Sequence, residues 1–268
     1  MTKKLKYIVV SFVALLFIWQ LAAMFTSVNA ALFPTPAKVG KAFIELFSTG
    51  LTGSSSNATL LGHILVSLKR FAIGYLLAVL LGIFFGLILG WFPTAFAYVN
   101  PIIQLIRPIA PVAWMPFIVL FAGIGDVPAI LIIFLAGFFI VLLSTASAVR
   151  GIDSIYLRVA QNFGISKART LTHIVFPAIF PQIAASLHLA LGTSWIFLVS
   201  GEMVGAQSGL GYLIMDAKNC IRPDALLATM ITIGAIGLLL DTLIGIFEVQ
   251  IATRWGIGAA GKVERAKS

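Results

Sequence analysis

Three groups of residues in this chain have the types and spacings that chemistry needs. Gly256-Ile257-Gly258-Ala259-Ala260-Gly261-Lys262 fits GxGxxG and most of a phosphate-binding loop. Its surroundings defeat it. Val263 stands where a Ser or Thr would hold magnesium, no strand precedes the glycines, and seven residues follow Gly261. That leaves no room for the helix and the ribose-binding acid of such a fingerprint. The stretch reads as a flexible basic tail, and no cofactor is expected on this chain. The histidines are the second group: His63, His173 and His188 lie far apart, and His63 has no second ligand three or four residues on. A metal site needs several ligands together. His63 therefore reads as an interfacial side chain, and His188, in an apolar block, as packed or hydrogen-bonded. No serine or cysteine sits in a nucleophile motif, so no catalytic or metal set emerges. The third group is basic: Arg107, set among Pro101, Pro108, Pro111 and Pro116, and the charged interval from Arg150 to Pro177.

Composition dictates what positions these residues. The 268 residues are 60% hydrophobic and 10% charged, with a mean hydropathy of +1.07. Soluble domains average about 45–50% apolar and about 25% charged, so an ordinary soluble enzyme, a disordered chain and a disulfide-stapled domain are excluded. The single cysteine, Cys220, cannot form an internal disulfide. Apolar blocks predict an all-α, polytopic membrane protein with about six spans, at 7–27, 70–91, 96–122, 127–148, 174–200 and 225–247. Lys3-Lys4-Leu5-Lys6 and Val28-Asn29-Ala30 imitate a signal peptide, but the run from Tyr7 to Phe25 is longer than a signal core. It reads as a retained first span.

The formal charge of +9 would suggest nucleic acid in a soluble protein. Here the basic residues flank apolar blocks, as at the cytoplasmic ends of membrane helices, and no nucleic-acid partner is expected. With the N-terminus inside, eleven basic residues fall on the cytoplasmic side and six, among them Lys69 and Arg70, on the outer side, with Arg107 within a span. Both termini are expected in the cytoplasm. The chain divides into an N-terminal span 1–27, an extracytoplasmic segment 28–69, a core 70–252 and a basic tail 253–268. In the outer segment Thr35 can cap a short helix that starts at Pro36, and Gly50 to Asn57 reads as a mobile loop.

Two spans carry further signals. Gly74, Ala78, Gly82, Gly86 and Gly90 recur every fourth residue, a small-residue stripe that lets another helix approach closely. The prolines of 96–122 break the third span. Irregular backbone at membrane depth has to be buried in protein or line a water-filled path.

The loop 150–177 reads as two short helices around a glycine. Asp153 or Ser154 caps the first, and Ile155, Val159 and Phe163 form its apolar face. Gly164 stops it in the left-handed conformation. Ser166 can cap the second, which runs through Lys167 and Arg169 to Phe176-Pro177. A one-faced helix of this kind has to dock on headgroups or in a groove of another protein.

Ala160-Gln161-Asn162-Phe163-Gly164, followed after nine residues by Ile174-Val175-Phe176-Pro177, resembles the EAA-loop signature of ABC importer permeases: Glu-Ala-Ala, three residues, Gly, nine residues, Ile-x-Leu-Pro. Arg158 stands in place of the glutamate, Val159 in place of the first alanine, and Phe176 in place of leucine. Further stretches resemble the nitrate/sulfonate/taurine/bicarbonate permease family. They are Phe33 to Pro36, Ser67-Leu68-Lys69-Arg70, Arg107 to Pro116, Phe121 to Asp126, Ser194 to Met203 and Ser208 to Tyr212.

The resemblance implies a type I ABC importer permease (MetI-like) bundle with a cytoplasmic coupling helix, in a bacterial plasma (inner) membrane. It implies a second copy of the permease, two cytoplasmic ATPase subunits that carry the ATP and magnesium, and an extracytoplasmic solute-binding protein. Val159, Ala160, Phe163, Gly164, Ile165, Ser166 and Pro177 become the expected ATPase contact. The expected solute is a small anion, best an aliphatic sulfonate or taurine, with nitrate, bicarbonate or a thiamine precursor as alternatives. An intramembrane ionisable residue is a functional candidate by default, so Arg107 is expected either to meet the anion or to pair with Glu202 or a freed carbonyl. Glu202 reads as a gate or a packing partner, and Trp114 and Trp195 as lining the interior. Asp241 and Glu248, seven apart, are expected to pair with basic residues. A channel or a membrane-bound enzyme is the competing class, and the chain shows neither a repeated filter nor a catalytic cluster.

Overall fold

The computed structural model describes residues 3–25, 33–54 and 58–254. The tail with Gly256 to Lys262 and the Val28-Asn29-Ala30 site lie outside these residues. The described residues are mainly helical, with no strand among them. In order they form α1 (Lys3–Phe25), α2 (Pro36–Ser48), α3 (Leu60–Trp91), α4 (Pro93–Ile106), a 3-10 turn (Pro111–Trp114), α5 (Met115–Ala122) and α6 (Asp126–Arg150). Then come α7 (Ser154–Asn162), α8 (Lys167–Thr170), a π turn (Leu171–Val175), α9 (Phe176–Gly205), α10 (Leu210–Asn219) and α11 (Pro223–Arg254). Two compact units emerge, Met1–Ser67 with Gln207–Ala235 and Leu68–Ala206 with Ile236–Ser268.

Four stretches are long and apolar enough to cross a membrane: Leu60–Trp91, Asp126–Arg150, Lys167–Gly205 and Pro223–Ile251. Pro93–Ile106 and Pro111–Ala122, bent by 83°, make a fifth if counted as one broken span. The expected six are not reached among the described residues, because the apolar part of the first block is only Val9–Met24. Two other boundaries move. The helix expected from residue 70 starts at Leu60, and the second loop helix does not end at Phe176-Pro177 but continues through the π turn into α9.

In the larger unit the small stripe does what its spacing requires. A Cβ placed on Gly74, Gly82, Gly86 or Gly90 would lie 2.8, 2.9, 2.6 or 2.6 Å from the Cβ of Ile133, Val141, Thr145 or Val149, and one on Gly137 3.2 Å from that of Ala78. Each stripe residue thus meets the residue 59 positions further on, so α3 and α6 lie parallel and in register. A parallel pair requires the chain between them to return to its starting face. That work falls to α4, the 3-10 turn and α5, which makes the bent pair a crossing. α9 runs antiparallel to α6, with Ser194 Oγ donating to the Ile133 carbonyl at 3.1 Å and Gly201 set against Ala129 and Ile132. α11 runs antiparallel to α9, since Trp195 packs on Gly237 while His188 reaches Asp241 and Glu248.

The smaller unit is held by polar ties. Thr35 accepts from the Lys38 amide at the start of α2, as its position predicts. Arg222 binds Glu45 at 2.7 Å and Asp224 at 2.9 Å. These bonds hold the Glu45 carboxyl far below its ordinary value of 4.5, at about 2, and push the Arg222 guanidinium up. The loop after α2, expected to be mobile, is bonded to its surroundings over residues 52–54. Thr52 bonds to Glu45, Ser54 bonds to Asp216, and Cys220 Sγ donates to the Gly53 carbonyl. His63 is not interfacial either. It is 1% exposed, accepts from the Gly209 amide at 3.1 Å and stacks on Tyr212. Beside it Ser67 Oγ accepts from the Leu210 amide at 2.8 Å. Together the two side chains satisfy amides at the start of α10, which otherwise lack helical acceptors.

Candidate functional site

The first candidate region is the loop 150–177. Asp153 caps α7 by accepting from the Ile155 amide at 2.9 Å. Gly164 takes φ +67°, with no atom within 4 Å of the position a Cβ would occupy. The turn closes by Ile165 N donating to Ala160 O at 3.0 Å. Ser166 is extended, as an N-cap should be, but its side chain makes no capping bond. Of the residues singled out here, Ala160 is buried while Val159, Phe163 and Ile165 are exposed, Phe163 by 79%. Ile155 and Tyr156 are exposed as well. Ser166 is exposed and Pro177 half-buried in the first turn of α9. Exposed apolar side chains on so short a helix are uncovered within this chain. Arg158 reaches back to Ser154 Oγ at 3.1 Å.

The second region is a chamber of about 180 Å³ in the larger unit, lined by Arg107, Trp114, Leu135, Phe139, Thr193 and Phe197 among others. Leu135 and Phe139 stand at the middle of α6 (Asp126–Arg150), so the chamber lies about halfway along that helix. Arg107 is exposed rather than buried as its setting suggested. The reason is that α4 ends at Ile106, so the arginine sits on the break itself and not on a packed helix face. The break costs few hydrogen bonds. Pro108 and Pro111 have no N–H to satisfy, and Ile109 and Ala113 donate to Ile106 and Ala110 at 3.0 and 2.8 Å. Arg107 has no ion-pair partner among the described residues.

Its expected alternative partner is taken. Glu202 Oε1 accepts from Arg70 Nη1 at 2.8 Å, and Asp126 Oδ1 accepts from Arg70 Nε at 2.8 Å and Nη2 at 2.6 Å. Arg70, placed by charge counting at the outer flank, is 2% exposed, and Glu202 1%. Trp195 is interior as expected, edge-on to Phe71, and Trp114 is half-buried at the chamber wall. Asp241 and Glu248 do find a shared partner, His188, at 2.9 and 3.0 Å. No group of His, Cys, Asp and Glu among the described residues has the geometry of a metal site.

Sequence comparison agrees with this architecture. Residues 78–255 match the family described as binding-protein-dependent transport system inner membrane component. The taurine transport system permease protein of Escherichia coli (strain K12) is 34% identical over 227 residues, 85% of this chain and 82% of that protein. The nitrate import permease protein of Leptolyngbya laminosa is 31% identical over 242 residues, 90% and 86% of the two chains. The broken helical bundle, its close-packed glycine seam and this similarity along most of its length establish the chain as a member of the binding-protein-dependent transport system inner membrane component family, a multi-pass ABC transporter permease and not an enzyme.

Proposed function

We propose that the chain forms, with a second copy, the pathway of an ATP-driven importer for a small oxyanion, with an organic sulfonate such as taurine the leading candidate. The observation that carries this reading is Arg107: a cation halfway along α6, facing a small chamber and lacking an ion-pair partner among the described residues. A charge at that depth is costly in lipid. It is tolerable where water or a passing anion meets it. A guanidinium offers a planar fork that matches sulfonate oxygens with two bonds. Trp114 and Phe197 supply the apolar wall for a short carbon chain. The taurine relative supports a sulfonate. The nitrate relative supports a smaller oxyanion on the same fork, and nitrate is the second reading.

The loop 150–177 is the contact for the ATPase. Val159, Phe163 and Ile165 offer the exposed apolar face, and Ala160 anchors α7. Gly164 sets its angle, Ser166 lies beside the turn, and Pro177 opens α9. ATP and magnesium belong to the two ATPase subunits. Their closure draws the docked loops together and turns the bundle outward, and a solute-binding protein delivers the anion at the other face. The excess of basic residues supports a cytoplasmic position for this loop, both termini and the tail 253–268.

The test is uptake by the reconstituted complex with labelled taurine and labelled nitrate in separate arms. Arg107→Lys and Arg107→Ala are expected to assemble with the ATPase and hydrolyse ATP, while uptake falls at least tenfold. Lysine keeps the charge but not the fork. Parental uptake by Arg107→Ala removes the residue from the pathway, and the arm that shows saturable uptake identifies the anion.

A further inference from the structure

The Arg70 cluster joins three membrane-spanning helices at one end of the larger unit. Arg70 comes from α3, Asp126 is the first residue of α6, and Glu202 lies in the last turn of α9. Both arginine and glutamate are buried, whereas the Asp126 side chain is 52% exposed. The two limbs therefore differ. Parting Arg70 from Glu202 would break an ion pair that is buried on both sides, but parting Arg70 from Asp126 leaves one carboxylate already in contact with solvent.

The same end brings α6 and α9 into close contact. Gly201 lies against Ala129, and the Gly125 amide donates to the Gly205 carbonyl at 3.0 Å. A Cβ on Gly205 would lie 2.5 Å from Met115 Cε. Further along, α6 and α9 become the two walls of the Arg107 chamber, through Leu135 and Phe139 on one side and Thr193 and Phe197 on the other.

We propose that Arg70, Asp126 and Glu202 are positioning residues for transport: Arg70 and Glu202 stay paired as a fixed hinge, while the Arg70–Asp126 limb is a releasable tie that holds the α6 and α9 ends together and parts when this end of the pathway opens. This rests on the reading that the chamber between α6 and α9 belongs to the pathway.

Two measurements on the reconstituted complex test it. Asp126→Asn is expected to raise ATP hydrolysis without solute about threefold and to raise the ATP consumed per solute imported. Asp126→Glu restores both. A variant that changes only complex yield, with parental coupling in the complexes that form, overturns the proposal. The second measurement leaves the cluster intact: Ala129→Cys with Gly201→Cys in a Cys220→Ser background. Oxidation is expected to lower uptake at least tenfold, with recovery on reduction. Undiminished uptake with the cross-link formed overturns the proposal as well. Failure of the Arg107 reading shows separately, as parental uptake by Arg107→Ala with these two results unchanged.

Discussion

Two arginines in one bundle are treated in opposite ways. Arg70 is enclosed and saturated, with two carboxylates on three of its nitrogens. Arg107, on the broken segment, is exposed to a chamber and has no ion-pair partner among the described residues. The difference lies in the backbone beneath each. Arg70 projects from an unbroken 32-residue helix into a seam between two neighbours, where an unpaired charge is prohibitive. Arg107 sits where Pro108 and Pro111 interrupt the helix, and a cavity lies beside the break. One arginine is structural because its surroundings are complete, and the other is available because its surroundings are not.

That contrast is broken most severely at its two arginines. Replacing Arg107 is expected to abolish most uptake and to leave assembly intact. Glu202→Ala does the reverse: it removes the buried carboxylate from Arg70 and is expected to cost about 3–5 kcal/mol, seen as a collapse in complex yield and a lower Tm of the detergent-solubilised protein. Gly86→Val sharpens the comparison by disturbing the seam without touching a charge. Its branched side chain has to displace Thr145, and overpacking of this kind costs about 1–3 kcal/mol. A Tm equal to that of the parent would show that α3 and α6 are not packed as described.

Gly164→Val acts at the loop. No neighbour obstructs the side chain, so the cost is that of a left-handed backbone, about 1–2 kcal/mol. ATPase binding is expected to weaken while Arg70 and Arg107 are untouched. The smallest effect is that of pH on the smaller unit. Glu45 is held at about 2 against an ordinary 4.5, so its tie to Arg222 contributes fully above pH 4.5. The contribution fades as the pH falls from there toward 2. Glu45→Gln should remove that part of the acid dependence of Tm, and an unchanged acid limb would mean that the tie contributes nothing.

The sequence made some of this legible and hid the rest for identifiable reasons. The stripe from Gly74 to Gly90 was readable because close packing requires small residues at helical spacing, and its partner helix is the one feature that spacing cannot name. The left-handed turn at Gly164 and the Asp153 cap were readable because each is a local rule of backbone and side chain. Arg70 was misplaced because charge counting assigns an arginine near a predicted span end to the flank. Its carboxylates lie 56 and 132 residues away, beyond any periodicity. His63 failed for the same reason, since the amide it serves is that of Gly209. The second loop helix and the span expected from residue 174 read as separate elements, yet they are continuous. Proline is tolerated in the first turn of a helix, and the π turn before it carries the chain through.

The in-register pairing of α3 and α6 also bears on biosynthesis. Each stripe residue waits for a partner that lies 59 positions further along the chain. At about 5–20 residues per second, a ribosome needs roughly 3–12 s to make that partner. During this interval the glycine seam of α3 has no α6 to close against, and the proline-broken segment is made before α6 can cover it. Slowing elongation between codons 91 and 126 would lengthen the exposure without changing a single residue of the finished protein.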